Sequence, residues 1–470
     1  MDRHHHAQSN RWRIWIISII LLGNSVFLSA EDTEIRVLTL PETISIALRQ
    51  NIGLQRSSLQ VELGSNSVEA SKGENQPNLN LSSSGNLVYS SPDDSSIFDK
   101  GGGDFDDSIR AGLSSSMTLY DGGSIKGAIA AAEADLEAAQ NNYDRDRQIL
   151  LLNTVTAFLQ AIVREKQVEI GEEELVNQIE QLERIRLDYN NGIRVRSEVL
   201  RQEALVAQSR GILIEFRRLY SVSLFTLKDL LQIPAEVSIS CADTAEGWKR
   251  ADEMPPPDLS ASLKTLANRL DLEAQRARMD SAKQSVRVAK AGKSVSLAAT
   301  ASLNTAYSSS MDGGFPERFF STEPSASAGL VLNVPIFDRR RTQTNVLRSQ
   351  IQLRQEELFY DDLLQIAQSD LYRAVLDFES AQAQLQAALD QLASADEALE
   401  AESARYDAGV ATLLDLNSIR ATRLDAAVAV EQARFDLFTS RLSVTFEDGT
   451  IEPFLLAQIK DLDPSIINVN

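Results

Sequence analysis

The chain of 470 residues carries 67 acidic against 46 basic side chains, a formal net charge of −21, with three His, one Cys and 6% aromatics. Such a length ordinarily means two or three globular domains. Taken over the whole chain, the acidic balance argues against a nucleic-acid or anionic-lipid partner, because no basic surplus neutralises phosphates, and the lone Cys241 excludes an internal disulfide or a cysteine zinc cluster.

Residues 1–30 read as a secretory signal peptide. Arg3, Arg11 and Arg13 form a basic start that also contains His4 to His6, Ile14 to Leu22 the apolar run, and Leu28-Ser29-Ala30 a small-residue cleavage site. The alternative, a retained anchor, needs about 20 apolar residues, and Gly23, Asn24 and Ser25 interrupt the run. Beyond residue 30 no apolar stretch reaches that length, so a membrane crossing would have to be made by strands.

A helical segment is expected over 40–72, followed by strands at 78–90 and 108–120. Leu79, Leu81, Leu87 and Tyr89 share one face of the first strand, and Asn78, Asn80, Ser82, Ser84 and Asn86 the other. Strands of about 10–13 residues with one apolar and one small polar face fit an outer-membrane barrel. They also fit a half-buried antiparallel sheet in a soluble domain. The connecting segments 91–107 and 309–324 favour the barrel, because they are long, polar and rich in turn residues.

The next stretch, 124–190, has no Pro and reads as one helix. Such a helix would reach roughly 100 Å at 1.5 Å per residue. Gly192 is a natural left-handed stop, and helical patterning resumes at Glu198 and runs to Leu231, giving an antiparallel hairpin with its tip at 190–197. Residues 233–258, with Pro234, Cys241 and Pro255-Pro256-Pro257, form a connector. Cys241 is expected to be structurally incidental.

The chain then repeats itself. Shifted by 218, Pro41–Ser91 lies on Leu259–Ser309 without a gap: Leu48 meets Leu266, Leu79 meets Leu297, and Tyr89 meets Tyr307. Shifted by 217, Leu119-Tyr120-Asp121 meets Ile336-Phe337-Asp338, and Tyr189-Asn190-Asn191-Gly192 meets Tyr406-Asp407-Ala408-Gly409. The first repeat is therefore 31–232 and the second 259–446, with strands at 295–308 and 325–337, a long helix at 339–407 and a tip at 407–414. Residues 447–470 form a C-terminal tail. Two copies with so long a period are a duplication, not a solenoid.

Duplicated helix–strand–strand–long helix–helix units behind a signal peptide resemble the TolC-type outer-membrane channel family. The local likeness lies in Gln76-Pro77-Asn78-Leu79-Asn80-Leu81, in Leu119-Tyr120-Asp121-Gly122-Gly123 and in Arg405-Tyr406-Asp407-Ala408-Gly409. The resemblance spans about Leu40 to Phe446. It implies an α+β membrane protein: a homotrimer with a shared 12-strand transmembrane β-barrel in outer-membrane lipid and an α-helical barrel in the periplasm. The connector and tail would form an equatorial belt. Four strands leave two open edges in lipid, which independently requires closure by other chains.

In the family the periplasmic end is an aperture narrowed by acidic residues, and the matching positions are Asp415 and Glu198. A carboxylate ring there would favour cations, although an acid at a helix start is also favoured by the helix dipole alone. The family's second acid, three residues on, is Ser418 here. A closing network in the family ties a Tyr and an Arg of the second hairpin to a Thr-Asp pair of the first. Tyr406 keeps the Tyr and Ser197-Glu198 resemble the pair, but the Arg position is Ala411. Its repeat mate is Arg194, with Arg196 nearby, so the latch is expected to be rewired through Arg194 to Asp415 or Glu198. Gly192, Ile193, Gly409 and Val410 are the expected adaptor-docking tips.

The function implied is a passive exit duct of a tripartite efflux pump or type I secretion system, opened by a periplasmic adaptor and an inner-membrane transporter. No catalytic residue, cofactor or metal site is expected, and no phosphate-binding glycine loop is present in the sequence. The alternative is a periplasmic coiled-coil adaptor or structural protein.

Overall fold

A computed structural model describes residues 35–90, 104–242, 255–308 and 324–458. The expected signal peptide, most of both strand-connecting segments, part of the connector and the end of the tail lie outside the described residues.

The chain opens with β1 (Arg36–Leu38), which pairs in parallel with β4 (Ile239–Cys241). Next comes α1 (Leu40–Gln50), started by a capping box in which Thr39 and Glu42 satisfy each other's backbone amides. The single helix expected over 40–72 is in fact two, because Asn51 leaves the helical region (φ −63°, ψ 120°) and its Oδ1 caps α2 (Ile52–Gly73) by accepting the Leu54 amide at 3.1 Å. The second copy breaks at the matching residue: Arg269 (φ −64°, ψ 129°) separates α5 (Leu259–Thr265) and a short 3₁₀ turn from α6 (Leu270–Ala291).

Strands β2 (Asn78–Ser90), β3 (Asp104–Tyr120), β5 (Ser296–Ser308) and β6 (Ser325–Asn333) form one antiparallel sheet in the order β2-β3-β5-β6. Apart from a one-residue shift at the start of β5, two boundaries differ from expectation. β3 starts four residues early, because Asp104–Asp107 stay in ladder register with Leu87–Ser90. β6 ends at Asn333 rather than 337, because Pro335 has no amide to donate and restricts the residue before it. The two copies join edge to edge through β3 and β5, which leaves β2 and β6 as the outer edges.

Nothing in the described chain covers either face of this sheet. Leu81 is 79% exposed and Leu332 63%, and β6 is exposed along its whole length. A soluble half-buried sheet has one covered face, which no described residue of the chain supplies here.

The helices carry the core. α3 (Ser124–Asn190) and α7 (Arg341–Asp407) are 67 residues each, and turn back as α4 (Arg196–Leu231) and α8 (Leu413–Glu447). α7 begins two residues later than expected, whereas α4 and α8 each begin two residues earlier than the acids Glu198 and Asp415. α3 packs along α4 and α6, and α7 along α8 and α6, so α6 lies against both long helices. Gly127 of α3 permits one such approach, since a Cβ there would sit 2.8 Å from Val288 Cγ2 of α6. The main core, around Ile44, Phe158, Leu227, Leu231 and Leu455, gathers α1, α3, α4, β1, β4 and the final helix α9 (Ile451–Gln458). A second core around Leu371, Phe378, Leu385 and Val430 joins α7 and α8.

Cys241 is buried in the main core, where desolvation pushes its thiol up to about 12 and makes it unreactive. The Arg269 guanidinium sits between Asp271 and Glu447, each at 2.7 Å. Arg145 of α3 stacks 3.7 Å over the Phe446 ring, and burial lowers its guanidinium to about 10.

Candidate functional site

Both hairpin tips are built by the same backbone device. In the first, the Ile193 amide donates to Asp188 O (2.8 Å) and the Gly192 amide to Tyr189 O (3.0 Å). In the second, Val410 donates to Arg405 O (2.9 Å) and Gly409 to Tyr406 O (3.0 Å). This is the Schellman ending, and it needs a left-handed residue, supplied by Gly192 (φ 76°) and Gly409 (φ 73°). It leaves Ile193 and Val410, each 70% exposed, as the apolar points of the two tips.

The two helices that resume after the tips start differently. α8 has a capping box: Thr412 Oγ1 accepts the Asp415 amide (3.2 Å), while Asp415 Oδ2 accepts the Thr412 amide (3.0 Å) and hydroxyl (2.6 Å). These hydrogen bonds hold the Asp415 carboxyl below the usual aspartate range. The repeat mate of Thr412 is Val195, which cannot cap, and Glu198 turns instead to Arg194, with Nη1 to Oε2 at 3.2 Å. Arg194 also reaches Asp188 at 3.6 Å.

Arg194 therefore pairs with Glu198 and not with Asp415, whose carboxylate faces its own cap. The guanidinium lies 5.0 Å from the centroid of the Tyr406 ring, so the first hairpin grips the second by a cation–π contact. Tyr406 is buried in a small cluster with Ile185, Leu413 and Leu416, and burial raises its phenol. Its hydroxyl accepts a hydrogen bond from Gln181 Nε2 at 3.3 Å. Ser197 and Ser418 are exposed, and neither side chain hydrogen-bonds another described residue.

Behind the tips lies a buried polar layer that the sequence reading missed. Gln202 Nε2 donates to Gln178 Oε1 (2.6 Å) and to Gln178 O (3.1 Å), and Gln202 Oε1 accepts from Asn417 Nδ2 (3.3 Å). Gln178 in turn donates to Glu174 at 2.6 Å, and desolvation raises the Glu174 carboxyl. The layer thus ties α3, α4 and α8 together. Arg423 of α8 adds an outer tie, at 2.9 Å to Asp396 of α7 and 3.5 Å to Glu173 of α3. Among the described residues no group of His, Cys, Asp and Glu is arranged to hold a metal ion, and no helix is long and apolar enough to cross a membrane.

The geometry is that of two long helical hairpins closed on each other at their tips, below a sheet with no core of its own. Comparisons with known proteins agree with it. The family model described as outer membrane efflux protein matches residues 43–231 and 262–449, which are the two copies. The chain is 27% identical over 335 residues to the pyoverdine export outer membrane protein OpmQ of Pseudomonas aeruginosa, covering 70% of this chain and 68% of that one. It is 25% identical over 344 residues to the outer membrane efflux protein BepC of Brucella suis, covering 72% and 71%. In fold it is similar to CusC, with TM-score 0.74, 18% identity and coverage of 90% of this chain and 95% of that one. It is also similar to the open state of the Neisseria gonorrhoeae MtrE channel, with TM-score 0.71, 20% identity and coverage of 88% and 89%. The chain belongs to the outer membrane efflux protein family, the TolC-type channels of the bacterial outer membrane.

Proposed function

We propose that the chain is the exit duct of a tripartite efflux pump or type I secretion system: a passive homotrimeric channel that docks to a periplasmic adaptor and an inner-membrane transporter. The observation that carries this is the four-stranded sheet, exposed on both faces and open at β2 and β6, set on two 67-residue helices. Unpaired strand edges are not tolerated in lipid. Three copies joining β6 to β2 give twelve strands and no edge, with the apolar rows facing hydrocarbon and the Ser/Asn faces lining water. The helices extend the duct into the periplasm, and the belt is formed by the connector and tail.

Arg194, Tyr406 and Glu198 act as the latch of the closed state, and Asp415 lines the mouth as a fixed negative charge. The apolar tips, Ile193 beside Gly192 and Val410 beside Gly409, receive the adaptor. Outer-membrane fractionation with a heat-sensitive trimer on gels tests the reading. A soluble monomer would overturn it and favour a periplasmic coiled-coil role.

A further inference from the structure

The two copies differ sharply where strand becomes long helix. In the first copy the turn after Tyr120 and Asp121 runs through Gly122 (φ 72°) and Gly123 (φ 90°). The matching residues of the second copy are Arg339 (φ 53°) and Arg340 (φ 64°), followed by Arg341. A left-handed backbone costs a side-chain-bearing residue about 1 kcal/mol or more, and the first copy shows that glycine makes the same turn without that cost. The arginines persist against strain, in a chain with a net charge of −21.

Their surroundings explain what they face. The apolar row of β6, Leu330 and Leu332, runs on past the last ladder pair through Val334 to Ile336, which is 94% exposed, and next to it Phe337 is 83% exposed. The three arginines follow Asp338 directly, are themselves exposed, and form no ion pair with a described residue. Greasy side chains that give way within a few residues to unpaired guanidinium groups match the passage from hydrocarbon to headgroup. The carboxylate of Asp338 is occupied, accepting the Thr342 amide at 2.8 Å.

We infer that Arg339, Arg340 and Arg341 bind the phosphate of an anionic phospholipid in the periplasmic leaflet, anchored beside Ile336 and Phe337. Guanidinium suits this role because it grips phosphate oxygens in pairs and is always charged. The first copy has glycines in place of Arg339 and Arg340, and at Gly122 a Cβ would come 2.3 Å from Ser294 Cβ, so that position is closed to a side chain. The stoichiometry is one lipid per chain. The inference rests on the barrel reading above, which sets the apolar row in lipid.

The test is native mass spectrometry of the detergent-solubilised full-length protein, titrated with phosphatidylglycerol, phosphatidylethanolamine or inorganic phosphate. The wild type should take up one phosphatidylglycerol per chain in preference to phosphatidylethanolamine, and millimolar phosphate should not displace it. The variant R339G/R340G restores the turn of the first copy and should keep the fold while losing about 30-fold in phosphatidylglycerol affinity, at about 1 kcal/mol per arginine. R339K/R340K, which keeps the charge but loses the paired grip, should bind more weakly than the wild type and more tightly than R339G/R340G. Unchanged phosphatidylglycerol affinity in R339G/R340G overturns the proposal, as does loss of trimer at constant lipid affinity, which would make the patch a subunit contact. Absence of the wild type from the outer-membrane fraction would instead overturn the barrel reading itself.

Discussion

The Arg194 guanidinium of the first hairpin lies 5.0 Å from the ring centroid of Tyr406 in the second, and it is held there by Glu198 at 3.2 Å. A half-buried contact of this kind contributes about 1 kcal/mol. On the latch proposal, removing it would shift a closed–open equilibrium roughly fivefold per chain. Arg194→Ala should therefore raise single-channel conductance or open probability in planar bilayers. Tyr406→Phe, which keeps the ring and loses only the Gln181 hydrogen bond, should have a smaller effect. Conductance of Arg194→Ala equal to wild type would remove the latch from the account.

Gln202 is fully buried and serves both as donor to Gln178 and as acceptor from Asn417. Gln202→Ala strands two buried partners, and leaving such groups unsatisfied costs about 1–3 kcal/mol each. A fall in thermal midpoint is expected, and Asn417→Ala should lower it less. If the double variant loses the sum of the two single effects, the pair is not coupled.

Asp415 should make the channel cation-selective, and Asp415→Asn should lower the cation-to-anion permeability ratio measured by reversal potential. The sign with pH follows from its cap. Thr412 lowers the carboxyl, so the charge and the cap are both fully present above the ordinary aspartate range and are lost only as pH falls through the lowered value. Thr412→Val removes the hydroxyl and moves the loss of selectivity to higher pH. A titration that is the same in both proteins would contradict the role of the cap.

Arg269 is buried between Asp271 and Glu447 and joins the start of α6 to the end of α8. Arg269→Ala leaves two carboxylates facing each other and should cost about 3 kcal/mol. Arg269→Lys should recover little of it, because an ammonium cannot reproduce the two-pronged grip on Asp271. Denaturant unfolding of the wild type and both variants would show this directly.

Gly127 marks a close approach of α3 to α6. Gly127→Val would drive a branched side chain into Val288, at a cost of about 1–3 kcal/mol. Reduced trimer yield at raised growth temperature is the expected outcome, with Gly211→Val, where a Cβ meets open space, as the tolerated comparison.

Much of this fold was legible because the duplication prints each element twice. The stops at Gly192 and Gly409, the strand faces and the two proline-free helices follow from backbone chemistry that leaves a plain mark on residue type. The break at Asn51 was missed because apolar spacing continues across it, and an Asn that caps looks the same as one on a solvated face. At the tips, Thr412 and Asp415 have the spacing of a capping box, a signal that would have placed the carboxylate on its own helix rather than on Arg194. The glutamine layer was least legible. Gln178 and Gln181 lie on the same buried face as Leu182 and Ile185, yet glutamine in a long charged helix ordinarily faces water, and only tertiary packing reveals that these do not.

The open edges of β2 and β6 have a genetic consequence. On the trimer reading, each subunit completes its neighbours' sheets, so one chain with a blocked edge opens a seam in any ring it joins. A proline placed in β6 at Val331, whose amide lies in the middle of the strand, should therefore poison assemblies that also contain normal chains. Such an allele would be dominant, whereas a truncation that never reaches the membrane would be silent beside a wild-type copy.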